Sequence, residues 1–192
     1  MDVVDAIDKV LFSTRIRRCA EELGQQGTGA LGRLFDLASP RLVRYALTVT
    51  HNQHDAEDAL QAALVRIALK PALLAAAWHP WAYFLKVVRN EALKIVRRKK
   101  LLRFFATVTE GAEPDTQSPD DDTRQFVRAA INKLPREQSE VIVLKIWEEM
   151  TFLEIAEVLG ESPNTIASRY RYALQKLTHH LQPLADEVPY AR

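Results

Sequence analysis

Apolar residues recur at three- and four-residue spacings along most of the chain, which is the pattern of one face of an α-helix. The clearest such patterns span residues 151–159 and 163–177. Gly160 lies between them, and glycine readily adopts the left-handed conformation that ends many helices. Ser162 and Pro163 suit the start of a second helix, because serine can cap free amides and proline has no amide hydrogen to leave unbonded. The spacing therefore predicts two short helices joined by a tight turn.

The second of these helices has two different faces. Its apolar stripe consists of Ile166, Tyr170, Ala173, Leu174 and Leu177. The other side carries Asn164, Thr165, Ser168, Arg169, Arg171 and Gln175. Short polar groups and arginines on such a face can contact base edges and phosphates in the DNA major groove. The pattern predicts a DNA-binding helix-turn-helix, although an ordinary helical hairpin has the same apolar spacing.

Helical patterns also cover the amino-terminal half of the chain. They predict a helix over residues 1–23, another from Leu31 with a kink or restart at Ser39-Pro40, a third that opens at His54 and stops at Pro71, and a fourth from Trp81 to Lys100. In the fourth helix, Trp81 and Phe84 fall on the apolar stripe and are expected in the core. No strand-like alternation is present, so the predicted fold class is all-α.

The helical pattern stops in residues 107–123, TVTEGAEPDTQSPDDDT, which contain six acidic residues, two prolines and no basic residue. Such a composition buries too little apolar surface to fold. We therefore predict two small helical domains joined by a flexible acidic linker. The predicted boundaries are a helical extension at 1–30, a first domain at 31–104, a linker at 105–123, a second domain at 124–182 and a tail at 183–192.

The charge of the chain is unevenly distributed. Its net charge is only +1, so any basic surface must be local and balanced elsewhere. The fourth predicted helix carries that surface, with Lys86, Arg89, Lys94, Arg97, Arg98, Lys99 and Lys100 mostly off its apolar stripe. The acidic linker balances it. This basic helix is a second candidate for nucleic-acid contact.

Composition also limits the cellular compartments in which the protein is expected. Cys19 is the only cysteine, which excludes an internal disulfide and fits a reducing cytoplasm. Residues 1–10 carry acids where a signal peptide has bases, and the longest uncharged run, 71–85, is shorter than the roughly 20 residues that span a bilayer. We expect a cytoplasmic protein with no membrane insertion.

No catalytic or metal-binding constellation is present in the sequence. There is no phosphate-binding glycine loop, nucleophile elbow or pair of cysteines. His51, His54 and Asp55 could approach one another as metal ligands, but turn and helix-capping roles are far commoner for such residues. We predict that the protein is not an enzyme and has neither a cofactor nor a metal.

Two segments carry a resemblance to a known family. Residues 134–177, LPREQSEVIVLKIWEEMTFLEIAEVLGESPNTIASRYRYALQKL, closely resemble the fourth conserved region of bacterial sigma factors, including the Leu-Pro opening and both helices of the helix-turn-helix. FDLASPRLVRYALTVTHNQHDAEDALQAALVRI and WAYFLKVVRNEALKIVRRKK are similar to the second conserved region. Because no counterpart of the third region lies between them, the chain resembles the compact extracytoplasmic-function (ECF) type.

The resemblance implies core RNA polymerase and promoter DNA as partners. Where the family docks on the polymerase clamp helices, this chain has Asp55, Glu57, Asp58 and Gln61. The start-proximal promoter element would be held by Trp78, Arg89, Asn90, Lys94, Arg97 and Arg98, and the upstream element by Asn164, Thr165, Ser168, Arg169 and Arg171. Trp78 is included because it precedes Pro80 in a predicted loop, where its ring is free to stack on a base. Asp55 is also a candidate helix cap.

Some positions depart from the family pattern. Ala62 and Leu64 stand where the docking helix often has an acid and an aromatic residue, Lys94 replaces a common aspartate, and Ala167 replaces a frequent basic residue. Two alternatives therefore stay open: a sigma-like decoy that occupies an anti-sigma protein, and a stand-alone helix-turn-helix regulator. An anti-sigma protein is also a candidate partner for an active sigma factor. We expect a monomer whose two domains close on each other until polymerase opens them.

Overall fold

The computed structural model describes the backbone of residues 3–105 and 122–187, and every regular element within those residues is helical. The elements are α1 (Val3–Gln26), a short 3-10 helix (Gly27–Ala30), α2 (Leu31–Thr50), α3 (Gln53–Leu69), α4 (Pro71–Ala75), α5 (Pro80–Phe105), α6 (Asp122–Asn132), α7 (Arg136–Ile146), α8 (Phe152–Leu159) and α9 (Pro163–Glu187). The all-α prediction is confirmed. Most of the predicted linker, residues 106–121, lies outside the described residues.

The first domain is built on α2, α3 and α5, which pack against one another along their apolar faces. Leu42, Tyr45, Phe84, Leu85 and Val88 are completely buried between them. Trp81 is 8% exposed, so the sequence-based prediction that Trp81 and Phe84 lie in the core is confirmed. This core holds the polar face of α5 and the acidic face of α3 at fixed positions on the domain surface.

Helix α1, in the predicted extension 1–30, packs against the first domain on α4, α2 and α5. Ile16, Ala20 and Leu23 are fully buried in the shared core. Gly24 allows the closest approach, since a Cβ atom at this position would lie 2.8 Å from the Cβ of Ala75 in α4. The absence of a side chain at Gly24 thus sets the distance between α1 and α4.

The helix-turn-helix of the second domain is confirmed. Thr151 and Glu154 form a reciprocal capping box at the start of α8, and Gly160 ends it with a φ of 71°. Ser162 Oγ then accepts a hydrogen bond from the Thr165 amide at 3.1 Å, which caps α9. Ala130, Ile131, Leu134, Ile142, Ala173 and Leu177 form an apolar cluster that joins α6, α7 and α9.

Two expectations need correction. Helix α2 continues through Pro40 without a restart, because Ala38 and Leu42 on either side of the proline are both fully buried and this packing outweighs the roughly 3 kcal/mol cost of an interior proline. The other difference is at the carboxyl end, where residues 183–187 of the predicted tail continue α9 as helix.

The two domains lie against each other, as expected. Helix α7 contacts α2, and α8 contacts α5. Val141, Leu144, Met150 and Ile155 of the second domain join the same buried apolar cluster as the core of the first. In the described parts of the chain, no helix combines the length and the hydropathy needed to cross a membrane.

We expect Gly24→Ala to lower the free energy of unfolding by about 1–3 kcal/mol, because the added methyl group forces α1 away from α4. The matched control is Gly32→Ala, also within a helix, where an added Cβ meets nothing within 4 Å. That control should raise stability by about 0.5–1 kcal/mol. Urea unfolding followed by circular dichroism measures both, and equal effects of the two substitutions would contradict the packing argument.

Candidate nucleic-acid interface

The amino-terminal half of α9 presents a polar face to solvent. The opposite face of the helix is fixed in the core, because Ile166 and Ala173 are completely buried. This packing determines which residues of α9 face solvent. Of the predicted residues, Asn164, Ser168 and Arg171 are exposed, whereas Thr165 and Arg169 are half-buried. Arg169 Nη2 donates to Glu161 Oε1 at 2.8 Å. The face therefore combines free hydrogen-bonding groups with a cation held in an ion pair.

Helix α5 places the residues predicted for the start-proximal element in two different environments. Asn90, Lys94, Arg97 and Arg98 are exposed, and Lys94 Nζ lies 2.9 Å from Glu91 Oε1. Arg89 is half-buried, with its Nε donating to Glu140 Oε2 of α7 at 2.7 Å. The sequence analysis assigned these side chains to one DNA-binding surface. In the structure, Arg89 instead contacts the second domain.

Trp78 lies between α4 and α5 and is 83% exposed. Its backbone oxygen accepts a hydrogen bond from Arg17 Nη2 of α1 at 2.6 Å, and its ring meets that of His79 edge-on with centroids 6.4 Å apart. A largely exposed indole on a restrained backbone is suited to stacking on an unpaired base.

The acidic residues predicted on α3 separate into two groups. Glu57, Asp58 and Gln61 are exposed. Asp55 is only 6% exposed, and its Oδ1 lies 2.7 Å from Lys99 Nζ. The helix cap is Asn52 rather than Asp55, since Asn52 Oδ1 accepts from the Asp55 amide at 3.0 Å. Asp55 thus ties α3 to α5 beneath the exposed acidic face.

Sequence reasoning missed the residues that hold the two domains together. Glu148, after α7, has a fully buried side chain. Its Oε1 accepts from Arg44 Nη2 at 2.8 Å, and its Oε2 accepts from Trp81 Nε1 at 3.2 Å. Arg41 Nη1 lies 3.9 Å from the same Oε2. In the sequence, Glu140 and Glu148 merely flank an apolar run, so their long-range partners leave no local signal.

Burial shifts the ionisation of these carboxyl groups. Desolvation raises the pKa of Glu140 and of Glu148, and the neighbouring arginines offset only part of that effect. Desolvation lowers the pKa of Arg89, but Glu140, Tyr45 and Glu137 together outweigh it and the net pKa is raised. Glu140 Oε1 makes no hydrogen bond, with Arg136 Nε at 3.6 Å. The interface is therefore charged and incompletely hydrogen-bonded, unlike a permanent core.

Among the described residues, no group of three or more histidine, cysteine, aspartate or glutamate side chains could hold a metal ion. The approach of His51, His54 and Asp55 as ligands, which the sequence analysis weighed against turn and capping roles, is not found in the part of the chain that the structure describes. Asp55 is instead bound to Lys99.

Family models match both domains. The Sigma-70 region 2 model matches residues 34–101, and the model for Sigma-70, region 4 matches residues 125–177. The RNA polymerase sigma-E factor of Streptomyces avermitilis is 30% identical over 141 residues, which cover 73% of this chain and 79% of the relative. The ECF RNA polymerase sigma factor SigL of Mycobacterium tuberculosis is 28% identical over 156 residues, 79% of this chain and 88% of the relative.

Solved structures share the fold. The sigma factor RpoE of Bartonella quintana, in complex with the anti-sigma factor NepR, aligns with a TM-score of 0.68 at 22% identity, covering 79% of this chain and 96% of RpoE. CnrH, in complex with the cytosolic domain of CnrY, aligns with a TM-score of 0.62 at 21% identity, covering 87% and 97%.

The two family models, which together match more than half of the chain, show that it belongs to the sigma-70 class of transcription initiation factors. Within that class, this chain belongs to the ECF sigma factors. As a sigma factor, it binds core RNA polymerase and promoter DNA and directs transcription initiation.

We expect the contact between the domains to strengthen as the pH falls from neutral towards the ordinary pKa of glutamate, about 4.3. Glu140 and Glu148 have raised pKa values when buried, so protonation of these two groups favours the closed state over an opened state with solvated carboxylates. The stabilisation is complete below the ordinary pKa and is lost as the pH rises through the raised values. Burial and Arg136 lower the pKa of His51, so this residue acts in the opposite direction while the pH falls through the ordinary pKa of histidine, about 6.5.

The measurement is the fraction of closed molecules as a function of pH, by spin–spin distances between labels at the exposed positions Ala72→Cys and Lys176→Cys in a Cys19→Ser background. Global stability is a poorer probe, because the pKa values of Glu22 and Glu91 are lowered and act in the opposite direction. An unchanged pH dependence in the Glu140→Gln/Glu148→Gln protein would contradict the assignment to these carboxyl groups.

Proposed function

We propose that this sigma factor contacts polymerase and promoter DNA through three separate surfaces. The exposed side of α3 docks on core RNA polymerase, the exposed side of α5 with Trp78 holds the start-proximal promoter element, and the amino-terminal half of α9 reads the upstream element. The observation that carries the proposal is the polar face of α9, presented to solvent by a helix whose other side is locked in the core.

The upstream element is proposed to bind α9 in the major groove. Asn164, Ser168 and Arg171 are spaced by four and three residues, so they lie along one side of the helix over about 10 Å. A major groove about 12 Å wide admits a helix in this orientation. Thr165 and Arg169 flank that line, and Arg169 would exchange its ion pair with Glu161 for one with a backbone phosphate.

The start-proximal element is proposed to bind along α5. Exposed Asn90, Arg97 and Arg98 supply hydrogen-bonding and cationic groups, and Trp78 supplies a stacking surface for an unpaired base. Lys94 adds a further cation once its ion pair with Glu91 is exchanged. Arg89 joins them only after Glu140 withdraws, so full contact with melted DNA requires the two domains to separate.

Docking on polymerase is proposed for Glu57, Asp58 and Gln61. These exposed side chains make an acidic face on α3 that would attract a basic partner surface. Asp55 would act indirectly, by fixing α3 on α5 through Lys99. Because core RNA polymerase acts in the cytoplasm, the same compartment is proposed for this chain. The complex of RpoE with an anti-sigma factor supports a similar regulator as an additional partner.

We expect Asp58→Arg to lower run-off transcription with core polymerase at least about tenfold, since like charges placed across an interface cost several kcal/mol. Asp36→Arg, an equally exposed charge reversal on α2, is the matched control and should leave transcription near wild type. Equal activity of the two variants would argue against α3 as the docking surface. No binding of the wild-type protein to core polymerase would favour the decoy alternative.

We expect Arg171→Ala to weaken transcription from a cognate promoter by about 5- to 150-fold, which corresponds to the roughly 1–3 kcal/mol of one specific base contact. Lys176→Ala, farther along the exposed side of α9, is the control. Promoters selected from a library of upstream DNA should change in the upstream element alone. Tight sequence-specific binding without polymerase would instead support the stand-alone regulator.

A further inference from the structure

Helix α1 precedes the residues matched by the region 2 model, which begins at residue 34, yet it lies at the junction of both domains. The ring of Phe12 meets that of Trp81 edge-on, with centroids 4.9 Å apart and an interplanar angle of 88°. On the same ring, the guanidinium carbon of Arg41 lies 4.0 Å from the centroid. Phe12 is therefore held by an aromatic contact and by a cation–π contact.

Both partners of Phe12 also bind the second domain. Trp81 Nε1 donates to Glu148 Oε2 at 3.2 Å, and Arg41 Nη1 lies 3.9 Å from the same atom. Phe12 thus restrains two of the groups that surround the buried Glu148 carboxylate. If the ring were removed, the side chains of Arg41 and Trp81 would be more mobile in the absence of Glu148. Binding Glu148 would then have to order them, which costs conformational entropy and weakens the contact.

A second contact reaches the other domain directly. Lys9 Nζ donates to the backbone oxygen of Glu149, in the turn between α7 and α8. Glu149 has a φ of 51°, which is uncommon for a residue other than glycine. The ammonium group of Lys9 therefore satisfies a carbonyl in an irregular turn, one residue after the carboxylate that Phe12 supports.

The rest of α1 is anchored on the first domain. Ile16, Ala20 and Leu23 are buried in its core, and Gly24 packs closely on α4. When the domains separate, α1 stays with the first domain, so the contact of Lys9 with the Glu149 oxygen must break, whereas Phe12 keeps its partners Arg41 and Trp81. This arrangement joins a fixed base, residues 16–24, to a short contacting segment, residues 9–12.

We propose that α1 is an intramolecular latch, which holds the second domain closed on the first through Lys9 on the Glu149 carbonyl and Phe12 behind the site that binds Glu148. The latch favours the state in which Arg89 is bound to Glu140 and Trp81 to Glu148. Its effect on polymerase and DNA binding rests on the proposed function above, whereas the latch itself is a property of the free chain. The latch therefore sets how readily a partner opens the molecule.

The test is the ratio of open to closed molecules in the full-length labelled protein defined above, with labels at positions 72 and 176. We expect Lys9→Ala/Phe12→Ala to raise the ratio about three- to tenfold, roughly the factor that one net intramolecular hydrogen bond is worth, here that of Lys9 to the Glu149 oxygen. Val10→Ala/Leu11→Ala is the matched control on the same turn of α1, at positions 64% and 54% exposed. It should leave the ratio unchanged.

A loss of helix on circular dichroism would mark a folding defect, so the milder Lys9→Met/Phe12→Leu protein, in which methionine keeps the length of the side chain but has no donor, is measured in parallel. Leucine keeps apolar volume but has no ring face for Arg41, and the ratio should again rise. A wild-type ratio in a folded variant of either kind would overturn the latch.

The rate of association with core polymerase tests whether opening of the latch affects polymerase binding. Faster association of the latch variants than of wild type would support a regulatory role for α1. Equal association rates, with the domains shown to be more open, would overturn that role. Asp58→Arg in the same assay reports on polymerase docking alone, so a failure of the proposed function is distinguishable from a failure of the latch.

Discussion

The arrangement of the two domains depends on one buried carboxylate. Glu148 carries its charge into the interface, where removal from water is costly unless hydrogen bonds and opposite charges replace the lost hydration. Arg44, Trp81 and Arg41 surround it from the first domain. Since breaking such a pair leaves an uncompensated buried charge, the second domain has one favoured position on the first. Water can replace these partners when the domains separate, so the contact is reversible.

This closed arrangement leaves two of the proposed functional surfaces exposed and occupies part of the third. The polar face of α9 and the acidic face of α3 stay exposed in the closed molecule, whereas Arg89 on α5 is occupied by Glu140. The carboxylate takes the place that a DNA phosphate would take, so the second domain and DNA would compete for the same guanidinium. Closure therefore affects the start-proximal surface more than the other two.

Much of the fold could be predicted because its signals are local. The helix-turn-helix follows from periodicity, from the Ser162 cap and from Gly160, each of which acts within a few residues. The burial of Trp81 follows from its place on an apolar stripe. Of the kink or restart expected at Ser39-Pro40, the restart does not occur, because the cost of the proline is local but the packing that overcomes it involves α3 and α5.

The sequence by itself determined most of the helices, the Ser162 cap, the family and the residue types on each proposed surface, since these depend on local patterns along the chain. Tertiary structure alone decided which charges stay free. Asp55 and Asp58 are three residues apart on one helix, yet Lys99 binds the first and the second is exposed. Glu140 and Glu148 bind arginines 51 and 104 residues away. An ion pair depends on distance in space, and sequence spacing does not encode that distance between separate helices.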